Sequence, residues 1–232
     1  MILTAHQPAY LPWAGLIHKI YLADVYVYFE KVQYVPKDFI NRNLIFLNNK
    51  PLWLTVPVFT KGHRQKSIYE TKINNQSNWR RKHLASIKLA YQKTIYFDPF
   101  FKKIESILLS DWEFLTELNL SILILTLSEL DIKTKILRAK DYSFNGQKSE
   151  LILDMCKQLN AKKYIFGEVG KNYADINSFK KNRIELQFQT FEPPYYKIND
   201  QEINKNLSIV DMIFRFGPEE TMNLILKKNL VK

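Results

Sequence analysis

The spacing of hydrophobic positions changes character several times along the chain. Residues 2–5 are a short apolar run, the length of a buried strand. His6-Gln7-Pro8-Ala9-Tyr10-Leu11-Pro12 follows. Its two prolines forbid an early helix, and the second suits a first helical position. Trp13, Leu16, Ile17, Ile20 and Tyr21 then recur at i, i+3, i+4, i+7 and i+8, which predicts an amphipathic helix. Residues 25–29 are β-branched or aromatic throughout, as in a strand covered on both faces. Strand, loop, helix, strand is a βαβ unit, so the first two strands should be parallel with a right-handed crossover.

Residues 44–47 and 52–58 read as strands joined by Asn48-Asn49-Lys50-Pro51, a hairpin signal. Pro57 puts the second strand at an edge or near its own end. Residues 68–73 form a further candidate strand. From about residue 77 to 130 the spacing is helical. Leu84, Ile87 and Tyr91 share one face, and Phe100, Phe101, Ile104, Ile107 and Leu108 share another. The helix from about Asp111 is apolar on nearly every side, which predicts a central position. Strand–helix alternation then resumes. Residues 134–137 are a candidate strand, Ile152, Met155, Cys156 and Leu159 mark a helix, and 164–166 and 184–191 are strands. Ser208 is placed to cap a helix carrying Ile209, Val210, Ile213 and Phe214, which Gly217 ends. Pro218-Glu219-Glu220 opens the last helix and Lys227-Lys228 closes it, acids first and bases last, as the helix dipole favours. The expected class is α/β, a mostly parallel sheet starting with a βαβ unit, plus a β-hairpin and a helical middle segment. With no repeat and no linker, residues 1–232 read as one domain, in which about 77–130 is a candidate helical insertion.

Composition narrows the class. Of the 232 residues 46% are apolar and 14% aromatic, with only 6 Gly and 9 Pro, which excludes a disordered chain. The single cysteine, Cys156, excludes an intrachain disulfide and a cysteine metal cage. On an apolar helical face it reads as an inert core thiol. The most apolar stretch, 118–130, is interrupted by Asn119, Ser121, Thr126, Ser128 and Glu129. It is shorter than the ~20 residues of a membrane span, so no transmembrane segment is expected. The start of the chain lacks a basic region and a long apolar run, and a cytoplasmic location is the expectation. The net charge of +11 favours an anionic partner. The basic pairs are scattered, as on solvated faces, which argues against a nucleic-acid surface.

Candidate chemistry concentrates after the first strand. A strand feeding a loop and a helix presents backbone N–H groups suited to anions, and ligands of open α/β sheets gather at the carboxyl ends of strands. His6 stands at such an end as a candidate general acid or base; the plainer alternative is that it ties the loop to neighbouring backbone. Glu30, at the end of the second strand, is its candidate partner. Lys19 reads either as an anion ligand or, beside His18, as a solvated lysine. Gln33-Tyr34 and Phe39-Ile40-Asn41-Arg42-Asn43 offer amides, rings and a guanidinium suited to sugars and their phosphates, or else cap the turn before the hairpin. Gly167-Glu168-Val169-Gly170-Lys171-Asn172-Tyr173 is a candidate ligand loop that fits neither common nucleotide fingerprint. His6, His18, His63 and His83 lack metal-ligand spacing, so no metal is expected.

The segment His6 to Gly15, continuing through Lys19-Ile20 and Ala23-Asp24, resembles the WbqC family. Further matches are Gln33-Tyr34, Asn41-Arg42-Asn43, Trp79-Arg80, His83, Ala90-Tyr91, Asn119, the Gly167 to Tyr173 loop, Pro194-Tyr195, Leu207-Ser208-Ile209, Asp211 and Gly217-Pro218. The sequence departs from the family pattern at Glu168-Val169 and Tyr196-Lys197. The family is associated with bacterial O-antigen and other surface polysaccharide. The resemblance implies transfer of an acyl or aminoacyl (glycyl-like) group onto an activated amino sugar, a nucleotide sugar. The candidate catalytic residues are His6 and Glu30, and the candidate substrate-binding residues are Gln7, Tyr10, Trp13, Lys19, Gln33, Tyr34, Asn41, Arg42, Lys171, Asn172 and Tyr173. The acyl donor stays open between coenzyme A, an acidic acyl-carrier protein, an aminoacyl-tRNA, and a free acid with ATP. Two alternatives stay open: an ATP-dependent adenylylating ligase, and a non-catalytic carbohydrate-binding assembly protein.

Overall fold

The computed structural model describes residues 1–62, 66–198, 201–203 and 207–229. Five strands form a wholly parallel sheet. They are β1 (Ile2–His6), β2 (Val25–Tyr28), β5 (Lys135–Arg138), β6 (Lys163–Phe166) and β7 (Glu185–Phe188), in the spatial order β5-β2-β1-β6-β7. The expected α/β class and opening βαβ unit are present: β1 leads through α1 (Ala14–Tyr21) to β2, which lies parallel beside it.

Side chains alternate across a strand, and both faces of this sheet are covered. Leu3, Ala5, Val25 and Val27 pack on one face with Ile152, Met155 and Cys156 of α5 (Ser149–Gln158) and Phe179 of α6 (Ile176–Lys181). Tyr26 and Tyr28 belong to the opposite core, with Leu16, Ile17 and Ile20 of α1. That burial on both sides is why β2 carries no polar alternate residue. The second core also contains α2 (Trp79–Tyr91), α3 (Phe97–Leu109), α4 (Leu115–Glu129) and α7 (Ile209–Lys227). These helices, except α7, lie in sequence between β2 and β5, as does the antiparallel hairpin of β3 (Arg42–Leu47) and β4 (Lys50–Thr55). A second small hairpin joins β8 (Tyr196–Ile198) and β9 (Gln201–Ile203).

Several elements depart from the sequence reading. Ile68–Glu70 is a 3-10 turn rather than a strand, because Ser67 and Glu70 form a capping box that satisfies its first amides. The last sheet strand ends at Phe188 instead of running to 191. Beyond it the chain turns over α1, where Phe191 lies 5.4 Å from the His18 ring. The α6 helix and the β8–β9 hairpin were not foreseen. The two predicted C-terminal helices are present as one element, α7, broken at Gly217 (φ 77°, ψ 171°). A side chain there would meet the Tyr96 ring at 2.6 Å, so only glycine fits both the backbone and the packing.

Candidate functional site

The order of the sheet reverses at β1. One connection leaves β1 toward β2, whereas β6 and β7 extend the sheet on its other side. Diverging connections leave a crevice at the carboxyl ends of the strands where the order reverses. A cavity of about 640 Å³ occupies this position. Ala5, His6 and Gln7 line it from β1, Phe29 and Val32 from the segment after β2, Leu151 and Ile152 from α5, and Tyr164 and Phe166 from β6. The turn after β6 closes one wall through Gly167, Glu168, Val169, Gly170 and Tyr173. A Cβ on Gly170 would lie 2.6 Å from the Phe166 side chain, so glycine lets this turn fold back on its own strand.

His6 is held on several sides. Its carbonyl accepts from the Phe29 amide at 2.9 Å and the Tyr26 hydroxyl at 3.1 Å. Its ring meets Trp13 edge-on at 5.4 Å. Nδ1 lies 2.8 Å from the Gln7 carbonyl. A carbonyl only accepts, so Nδ1 carries the hydrogen and Nε2 presents a lone pair. Burial, reinforced by the positive charge of Lys19, pushes the imidazole pKa down to about 4. His6 is therefore a neutral base at physiological pH.

Lys19 is not solvated. Only 5% of it is exposed, and its Nζ donates to the Ala5 carbonyl at 3.0 Å. Together with Lys148 it brings the positive charge to the cavity lining. Burial lowers the Lys19 pKa to about 8. His18 is buried as well. Its ring contacts Gln189 Nε2 at 2.9 Å and the Asn229 carbonyl at 3.1 Å. The exposed reading fails for His18 because the segments after α7 and β7 cover it, and for Lys19 because its side chain turns back onto β1.

Glu30 has other partners than His6. It is fully buried, accepting from Arg138 at 2.6 and 3.0 Å and from Thr116 at 2.7 Å. Arg138 also grips Glu117 at 2.8 and 2.9 Å, so the cluster ties β2, β5 and α4 together. Gln7 reaches the cavity and donates to Asp38 at 3.1 Å. Tyr10 is in the core, its hydroxyl 2.8 Å from His83 Nδ1. Trp13 contacts His6 and, at 5.3 Å, Phe39. Asn41 is buried and donates to the Val56 carbonyl at 2.8 Å. Arg42 stacks on Trp53 at 4.2 Å and donates to the Lys37 carbonyl. Tyr34 is buried. Lys171 and Asn172 are exposed in the 3-10 turn, where their neighbour Tyr173 alone of the three lines the cavity. Gln33 lines a second cavity of about 540 Å³, which shares Phe29, Val32 and Leu151 with the first and adds Lys31, Lys66 and Tyr69. The first turn of α1, expected to offer its amides, does not line the main cavity.

Sequence reading missed the apolar walls of the cavity, Phe29, Val32, Leu151, Ile152 and Phe166. The strand-end rule that singled out His6 applies equally to Phe29 and Phe166, and would have found them. Leu151 and Ile152 carry no such signal, since α5 is placed there only by the crossover. Among the described residues no group of three or more His, Cys, Asp or Glu side chains is placed to hold a metal; His63 lies outside them. Cys156 is fully buried, which raises its thiol pKa to about 12. No described helix is long and apolar enough to cross a membrane.

The profile of the WbqC-like protein family matches residues 7–223. An uncharacterized protein of Mycobacterium tuberculosis, Rv1507c, is 28% identical over 217 residues, 92% of this chain and 93% of that protein. No solved structure matches.

Proposed function

Because the chain belongs to the WbqC-like protein family, we propose that it is a transferase moving an acyl or aminoacyl group onto an activated amino sugar in bacterial surface polysaccharide synthesis. The observation that carries the reading is His6: a neutral imidazole whose Nε2 lone pair has no hydrogen-bond partner among the described residues, on the wall of a cavity where the sheet order reverses. In the reaction the acceptor nitrogen attacks the acyl carbonyl. A C–N bond forms, the nitrogen loses a proton to Nε2, and the bond from carbonyl carbon to the donor's leaving group breaks. The proton becomes acidic only as the C–N bond forms, so a weakly basic imidazole that is never protonated at rest suits its removal. The adjoining cavity supports a two-substrate arrangement. Lys31 and Lys66 offer charge for a sugar nucleotide and Tyr69 a ring to stack on.

The test pairs nucleotide amino sugars with acyl-coenzyme A, acylated carrier protein, aminoacyl-tRNA, or free acid plus ATP, and reads products by mass. The expected outcome is an acylated amino sugar from wild type. His6→Ala should lower turnover by roughly a hundredfold to ten-thousandfold, the usual worth of a positioned base, with little loss of stability. Pyrophosphate release confined to the ATP arm would favour the ligase alternative. Full turnover by His6→Ala would remove His6 from the chemistry.

A further inference from the structure

Lys19 is an expensive residue in its position. An ammonium with 5% exposure has surrendered most of its hydration. Among the described residues its single hydrogen bond is to the neutral Ala5 carbonyl. Among the described residues no carboxylate lies within ion-pair distance of it. Asp38, whose charge is felt at His6, is engaged by Gln7 Nε2 and by the Phe39 amide at 2.7 Å. Glu30 is closed within the Arg138 cluster. An ammonium has three donors, and Lys19 lines the cavity beside His6.

We infer that Lys19 is the receptor for a carboxylate on one of the two substrates, held in the His6 cavity with its apolar portion against Phe29, Leu151, Ile152 and Phe166. Charge balance selects the carboxylate. The interior carries one positive charge from Lys19, so a monoanion neutralises it, whereas a phosphate dianion would leave a buried negative charge unmatched. Lys148 and Glu168, the other charged residues of the lining, are both exposed and opposite in sign. The inference rests on this cavity being the substrate site of the proposed transferase. Two sources share the chemistry, a free carboxylic acid and a carboxylate-bearing sugar.

Binding to the resting protein tests it without turnover, so it stands apart from the transferase reading. Thermal unfolding is followed with sodium butyrate, sodium glucuronate and inorganic phosphate at matched ionic strength. The expected result is a rise of several degrees with butyrate or glucuronate, the responder identifying the source, and a smaller rise with phosphate. Lys19→Met should weaken the carboxylate response by roughly tenfold to a hundredfold, the worth of a charged hydrogen bond, while raising Tm without additive, because a buried charge is gone. Lys19→Gln, which keeps a donor for Ala5 without the charge, should lose the response equally and serves if the Met variant does not fold. His6→Asn should keep carboxylate binding while losing turnover. A stronger response to phosphate, no response to any of the three, or an unchanged carboxylate response in Lys19→Gln would each overturn the inference.

Discussion

At the residue scale, buried titratable groups set how the protein answers to pH. His6 and His83 have pKa values pushed down to about 4, chiefly by burial, and His18 is lowered for the same reason. The unfolded chain protonates these rings near 6.5, whereas the folded chain resists until about 4. Their contribution is complete above 6.5 and is lost as pH falls through that window, since the unfolded state binds the extra protons. Lys19 behaves alike at higher pH. Its pKa falls from 10.5 to about 8, so stability should rise between those values as the buried amine sheds its charge. A Tm series across pH should show the acid loss in wild type and in Lys19→Met alike, and the alkaline gain in wild type alone. A gain of the same size in Lys19→Met would assign it to another group. His6 was legible because strand-end position is a local property. The burial of Lys19 was not. The helical pattern groups it with His18 on a polar side, and the Gln189, Phe191 and Asn229 that cover His18 lie far along the chain.

At the element scale, what was legible is what is local. The βαβ unit, the β3–β4 hairpin, the helix α5 and the capped helix α7 follow from periods and turn residues within short windows. Strands as short as β8 and β9, or a helix as short as α6, offer too few residues to establish a period. Long-range fastening is equally silent. Glu30 looked like a partner for His6 because both end strands, yet Arg138, from 108 residues away, takes it. The bidentate geometry fixes the end of β2 against β5 and α4 rather than serving the cavity directly. Arg138→Met would strand a fully buried carboxylate, and breaking such a pair costs about 3–5 kcal/mol. Chemical denaturation should register that loss, and Glu30→Gln added to Arg138→Met should recover a large part of it. If the double variant is no more stable than the single one, the penalty is not the stranded charge.

At the scale of the whole molecule, the site depends on parts distant in sequence. β1 pairs with β2, 22 residues on at Leu3↔Val25, and with β6, whose Tyr164 sits beside the same Leu3. The sheet order that creates the cavity was therefore invisible to any local pattern. The loop after His6 is braced from the far end of the chain. Ile209 donates its amide to the Pro12 carbonyl at 2.8 Å, Trp13 bridges Ser208, and α7 packs on α1. Ending the chain after residue 207 removes α7 from the core it shares with Leu16, Ile17 and Ile20. The expected product binds a hydrophobic dye and loses near-ultraviolet dichroism; a native-like near-ultraviolet spectrum would count against the brace. The same arrangement has a consequence in time. On the ribosome the strand bearing His6 emerges before both strands that flank it and well before the helix that steadies its loop. The apolar edge of β1 waits for β6 through most of synthesis, a span in which unpaired edges invite aggregation. The cavity behind that edge comes late: its walls are complete only once β6 and the turn through Tyr173 have been made.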